Sequence, residues 1–252
     1  VLTIPIAEAI VGGALGRPSK MPGRSWGIAA AECIRGAKLA QQPGTVCASC
    51  YALRGHYITG SVKRAHDRRL QGLTHPQWVE AMAVLINGHE RNGYFRWFDA
   101  GDLQGVTHLR QILEVARRTP TVRHWLPTRE HELVADVVLG YRVARNALPA
   151  NLVIRLAADH IEDRPTYDTW GLPTATVHKH PREPVPARPG RRRGESIECK
   201  AYERGDRCGP CRACWEPKVQ NVSYLHNAGM RRRFDNEDPR RAKRSKRLRL
   251  VA

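Results

Sequence analysis

The chain has 252 residues, with 42 Lys and Arg against 24 Asp and Glu, for a formal net charge of +18. That length holds one large domain with a sizeable core, and no run reaches the roughly 18 apolar residues of a membrane span. Seven cysteines without a convincing secretory signal speak against a disulfide-stapled secreted module and for metal or redox work in a reducing cytoplasm. The charge calls for a polyanionic partner, nucleic acid first. Residues 1–16 are apolar but lack a basic leader and are interrupted by Pro5 and Glu8, so they do not read as a signal peptide. The start at Val1 reads as trimmed.

In chain order, residues 2–6 suggest a short strand, followed by a Gly- and Pro-rich loop. Residues 29–40 carry helix formers around Cys33 and Gly36, and a turn then feeds Cys47-Ala-Ser-Cys50-Tyr51. Residues 61–70 form a basic helix, with Lys63, Arg64, Arg68 and Arg69 leaving one face to Val62, Ala65 and Leu70. Thr74 to Gln77 has capping-box spacing, and Trp78, Met82, Leu85 and Ile86 follow at helical intervals.

A strand–helix rhythm comes next. Strands are expected at 94–98, 122–126, 152–156 and 174–178. Thr107 caps a helix whose stripe is Leu109, Ile112, Leu113 and Ala116, and a second helix spans 130–146. Strand starts fall about 22 to 30 residues apart, the length of a strand–helix unit in a parallel sheet. The expected fold is α/β, a TIM-like and possibly partial parallel β/α barrel, with an open doubly wound sheet as the other solution. Its parts are an N-terminal arm (1–30), a barrel-like domain (31–198), a four-cysteine segment (199–227) and a basic tail (228–252). From Arg231 onward ten Lys and Arg face three acids, which suits a disordered arm that neutralises phosphates.

Cys199, Cys208, Cys211 and Cys214 place four thiols within 16 residues, the last three separated by two residues each, beside Gly and Pro turns. Such spacing converges thiolates on zinc or an iron–sulfur cluster. Cys33, Cys47 and Cys50 supply three more. Three thiolates on a [4Fe–4S] cluster leave one iron open. Alternatively, Cys33 is a core residue and Cys47 with Cys50 a redox or zinc pair.

Parallel folds bind ligands at the carboxyl ends of their strands, and here those ends are ionisable. Asp99, Gly101 and Asp102 follow the first repeat strand, Arg129 and Glu130 the second, Asp159 and His160 the third, and His178 and His180 the fourth. Asp99, Asp102 and Arg129 are the catalytic candidates, suited to proton transfer or to holding an anion. Gly101, Asp102 and Asp159 are the candidates for cofactor binding. Asp99 and Asp102 equally suit helix caps and Asx-turns.

Val46-Cys-Ala-Ser-Cys-Tyr-Ala-Leu-Arg-Gly-His-Tyr57, Phe95-Arg-Trp-Phe-Asp-Ala-Gly-Asp-Leu-Gln104, His124-Trp-Leu-Pro-Thr-Arg129, Cys208 to Trp215 and Asn221-Val-Ser-Tyr224 together resemble the phage and prophage gene-product-88-like proteins. More distantly, the CxxCYA stretch is similar to phage proteins grouped with radical-SAM barrels. That likeness implies a [4Fe–4S] cluster on Cys33, Cys47 and Cys50, bound S-adenosylmethionine near Asp99 to Asp102, and an auxiliary cluster on the other four cysteines. The usual CxxxCxxC is replaced by a 13-residue gap. A fainter similarity links Asp99 to Gln104 and Pro127-Thr-Arg129 to guanine transglycosylases, which implies a structural zinc and guanine or deazaguanine exchange; the nucleophilic Asp expected before Pro127 is missing. The expected function is a nucleic-acid-modifying metalloenzyme acting on DNA rather than RNA, in a bacterial host cytoplasm if phage-encoded. The non-enzymatic alternative is a zinc-stabilised nucleic-acid-binding protein.

Overall fold

Short β-branched and aromatic runs separated by amphipathic helices build one sheet. The structure, a computed structural model, describes residues 2–144, 147–163, 170–179 and 195–226. Among these residues the strands are β1 (Arg24–Trp26), β2 (Tyr94–Trp97), β3 (Arg123–Thr128), β4 (Leu152–Ala157), β5 (Thr174–His178), β6 (Glu195–Glu198) and β7 (Val219–Leu225). They lie in the order β1-β2-β3-β4-β5-β7-β6 with every neighbouring pair parallel. A parallel sheet collects all carboxyl ends on one edge, and the candidate site lies there.

The helices are α1 (Ile4–Val11), α2 (Ile34–Leu39), α3 (Gly60–Gly72), α4 (Trp78–His89), α5 (Val106–Arg118) and α6 (His131–Val143). Register separates the two faces of the sheet. Phe95, His124 and Leu152 lie abreast, and the next row holds Arg96, Trp125 and Val153. Trp26, Phe95, Trp97, Leu126 and Ile154 pack with α1, α4, α5 and α6 in the main core. Trp26 meets Trp78 edge-on at 5.5 Å and Trp97 at 6.2 Å. In α5, Leu109, Ile112, Leu113 and Ala116 are buried as their spacing predicts, while Glu114 pairs with Arg118 at 2.8 Å on the outside.

The other face carries the cysteine-rich C-terminal segment. Trp215 donates from Nε1 to the Phe95 carbonyl at 2.9 Å and packs edge-on against Trp125 and Tyr94 at 5.2 and 5.4 Å. Arg155, wholly buried on β4, donates to the carbonyls of Ala213, Cys214, Glu216, Val219 and Thr174 at 2.7–3.2 Å. A buried guanidinium is costly unless its donors are met. Here five carbonyls meet them and fasten the segment to the sheet.

Local differences from expectation have physical reasons. Residues 4–11 are helical, not a strand: Pro5 sits in the first turn, where its missing N–H costs nothing, and Gly12 ends the helix in the left-handed conformation. Ala7 and Val11 of this helix are buried in the main core. Thr74 does not cap α4, whose N-cap is Gln77; its hydroxyl turns back to the Gln71 carbonyl. Gly105, not Thr107, occupies the N-cap of α5. The stretch 29–40 breaks at Cys33 into a 3-10 turn and α2. The last residues of the helix expected over 130–146, His180, the Arg-rich loop after it and the basic tail lie outside the described residues.

Candidate active site at the carboxyl edge

Between β1 and α3 the chain crosses the carboxyl edge of the sheet, pinned beyond β2, β4 and β7. The Ile28 N–H donates to the Ala100 carbonyl at 3.1 Å beyond β2, and Val46 N–H to the Asp159 carbonyl at 2.8 Å beyond β4. Tyr51 Oη donates to the Asp99 carbonyl at 2.7 Å, and Ser49 Oγ meets His226 Nε2 at 2.7 Å past β7. Cys33, Cys47 and Cys50 ride on this segment, so they stand over the strand ends that carry the acidic and basic groups.

The three thiols form one electrostatic neighbourhood. Burial first, then Asp102, Cys50, Cys47 and Glu130, push the Cys33 thiol far up. Burial also raises Cys47, an effect Arg129 opposes and Cys50, Asp102 and Asp159 reinforce. Gly36 opens the space between them: a Cβ there would stand 2.9 Å from Cys33 Cβ and 3.5 and 3.6 Å from the sulfurs of Cys33 and Cys47.

Around them the strand ends are tied together. Asp102 is buried, accepting from Thr128 Oγ1 at 2.6 Å and from the backbone N–H groups of Leu103 and Arg129 at 2.8 and 2.9 Å. Its carboxylate thus latches the end of β2 to the end of β3. Burial raises its pKa although these donors oppose the shift. Gly101 takes φ +82°, and a Cβ there would strike Ile28, at 2.4 Å from its Cγ1 and 2.8 Å from its carbonyl. The close approach this glycine permits is therefore to the β1 loop. Phe98, immediately after β2, also adopts a left-handed φ of 54°, an uncommon conformation for an aromatic residue at the point where the chain turns into the site.

Asp99 faces the opposite way. Its Oδ1 is buried without a hydrogen-bond partner among the described residues, and its charge is felt by Tyr57, His66, Arg69 and Arg96. Arg129 uses Nε on the Ala158 carbonyl at 3.1 Å and lowers the Cys47 thiol through its charge. Asp159 is paired with Arg35, Oδ2 to Nη2 at 2.6 Å. Burial alone would raise the Asp159 carboxyl; the hydrogen bond and charge of Arg35 outweigh it and hold it below the usual range. Arg35 also donates its backbone N–H to Glu130 Oε1 at 2.7 Å, clamping α2 to the ends of β3 and β4. Arg35 escaped sequence reasoning, and Gly36 entered it only as a glycine among the helix formers of residues 29–40. Their signal was their position two and three residues after Cys33.

The second cysteine group lies on the other face of the sheet. Cys199 follows β6; its thiol is raised by burial and by Cys208 and Cys211. Cys214 is pushed up to about 12, burial first, with Cys199 and Cys208 contributing, and its sulfur stands 3.1 Å from Tyr224 Oη. Cys208 and Cys211 are exposed, and all seven cysteines are free thiols. Among the described residues no three Cys, His, Asp or Glu side chains are arranged to hold a metal ion. His178, at the end of β5, contacts Glu198 at 3.2 Å.

A sequence profile for gene product 88 matches residues 22–217, which span β1, both cysteine groups and the ends of β2 to β5, and stop short of β7. The chain belongs to the gene product 88 family. No curated protein and no solved structure matches it. No described helix is long and apolar enough to cross a membrane.

Proposed function

We propose that this gene product 88 protein is a metalloenzyme that modifies nucleic acid, DNA before RNA, at the carboxyl edge of its sheet. The observation that carries the proposal is the gathering of Cys33, Cys47 and Cys50 over strand ends bearing Asp102, Arg129, Glu130 and Asp159. The three thiols have the donor chemistry of a [4Fe–4S] cluster, although their side chains do not converge as they stand. Turning them onto one point is the remaining step. A cluster on three thiolates keeps one iron for an exogenous ligand, and with S-adenosylmethionine it would supply one-electron chemistry.

The chain's own groups have distinct tasks on this reading. Arg129 offsets thiolate charge and presents a guanidinium to an anionic group of cofactor or substrate. The Asp102 latch and the Arg35–Asp159 pair fix the floor. Asp99, whose buried Oδ1 has no hydrogen-bond partner among the described residues and whose carboxylate lies against Tyr57, is the candidate to accept a hydrogen bond. Cys199, Cys208, Cys211 and Cys214 hold an auxiliary cluster or zinc, and the parallel sheet reads as a partial barrel whose open side that segment covers. Protein purified without oxygen should be brown and carry roughly seven to eight irons if both groups hold clusters, or about four beside one zinc if the second group holds zinc. A colourless, zinc-only protein overturns the iron reading. It would favour the transglycosylase-like alternative, in which Asp99 or Asp102 would act in proton transfer or covalent catalysis.

A further inference from the structure

The stretch 33–69 carries seven Lys and Arg (Arg35, Lys38, Arg54, Lys63, Arg64, Arg68, Arg69) against a single acid, Asp67. Of these cations, Lys38, Arg54, Lys63, Arg64 and Arg68 are exposed. The same stretch exposes apolar side chains: Ile58 at 61%, Tyr51 at 49%, Ile34 at 46% and Leu53 at 39%. Tyr51, Leu53 and Ile58 fall within eight residues of one another on a segment that packs against α3, so they form a local exposed apolar cluster beside that basic helix rather than singly scattered side chains.

The rings are ordered. Tyr51 meets Tyr57 edge-on at 5.5 Å, and Tyr57 stacks near-parallel on His66 of α3 at 6.5 Å and 21°. Tyr51 is anchored by its hydroxyl to the carbonyl of Asp99. The series runs from buried His66 on α3 through half-buried Tyr57 to Tyr51, the ring nearest the strand ends and half open to solvent.

We infer that this face, residues 51–58 with α3, binds single-stranded nucleic acid and leads a base toward the strand-end site. The inference rests on the nucleic-acid reading above and names the form of substrate it requires. Phosphates account for Lys63, Arg64, Arg68 and Arg54 but have no use for Tyr51, Leu53 or Ile58. Unpaired bases do, because each offers an apolar face that a duplex hides. The groups at the strand ends are recessed, so a base kept in a duplex stack would not reach them.

The test measures binding of a fluorescein-labelled single strand, its blunt duplex, and phosphatidylcholine–phosphatidylglycerol vesicles to the full chain over a salt series. Tyr51→Leu should weaken single-strand binding roughly five- to a hundred-fold and leave duplex binding unchanged. The triple variant Lys63→Gln, Arg64→Gln, Arg68→Gln should reduce the magnitude of the salt slope for the single strand by about 2, at about 0.7 per phosphate contact. Equal affinity for strand and duplex with a silent Tyr51→Leu overturns the inference. So does vesicle binding that the same substitutions abolish, which would mark a membrane surface. Iron content measured on the same preparations separates the two proposals. A colourless protein that still discriminates strand from duplex removes the cluster alone, and an iron-loaded protein blind to strand form removes the docking face alone.

Discussion

Acidification should destabilise this protein well above the pH at which most carboxylates titrate. His124 is buried between β3 and α5: Nδ1 accepts from Trp97 Nε1 at 3.2 Å, which leaves Nε2 to donate to Thr119 Oγ1 at 2.8 Å. A second proton has no place on that ring without losing the tryptophan bond. His108 is buried beside Trp26, Trp78 and Phe98, and its Nδ1 accepts from the Gln104 N–H at 3.3 Å. Burial lowers both rings to about 3. A depressed histidine is protonated first in the unfolded chain, so its stabilisation is complete above about pH 6.5 and lost as pH falls toward 3. Each ring therefore withdraws about 2 kcal/mol between pH 7.5 and 5, and the pair about 4, a large share of the roughly 5–15 kcal/mol of a typical domain. His66 and His131, also lowered, act in the same sense, while the raised carboxyls of Asp102 and Glu130 act against it. The assay is urea unfolding at both pH values for the wild type and His108→Leu. The stability lost on acidification should be about 2 kcal/mol smaller in the variant, a difference from which the variant's own stability cancels. Equal losses in the two proteins would refute the assignment of a neutral, pH-sensitive His108.

Two substitutions probe how the sheet holds its cysteine segments. Arg155→Met leaves five carbonyls without their donor and should cost about 3–5 kcal/mol in urea unfolding. Amide exchange should accelerate at 213–219 more than in β2 and β3, and uniform acceleration would contradict the fastening role. Gly36→Ala adds a methyl between Cys33 and Cys47 while improving helix propensity by about 1 kcal/mol. Iron content should fall while the 2.9 Å approach to Cys33 Cβ and the propensity gain act in opposite directions on the melting temperature, and an unchanged iron content would remove Gly36 from the site.

The strand–helix repeat from residue 94 to 178 was legible because each unit carries its own period: four strands and the α5 stripe lie where spacing put them. β1, β6 and β7 were not. Arg24-Ser-Trp26 is too short to show alternation, and Glu195-Ser-Ile-Glu198 exists as a strand only through its pairing with β7. The β7 segment Val219-Gln-Asn-Val-Ser-Tyr-Leu225 has no clean polar alternation because both of its faces are partly covered. Within the site, the acidic and basic strand ends were legible from sequence, since a parallel fold sends them to one edge. That Asp102 is enclosed by three donors while the buried Asp99 Oδ1 has no hydrogen-bond partner among the described residues was not, because two residues separated by Ala100 and Gly101 look alike until the left-handed turn at Gly101 sends them opposite ways.

The most direct test is to replace Cys33, Cys47 and Cys50 together with Ser and count iron in anaerobically prepared protein beside the wild type. About four irons should be lost, with the metal of Cys199, Cys208, Cys211 and Cys214 retained and the fold, read by circular dichroism, intact. Iron unchanged by the triple substitution, or absent from the wild type, would contradict a cluster over the carboxyl edge of the sheet.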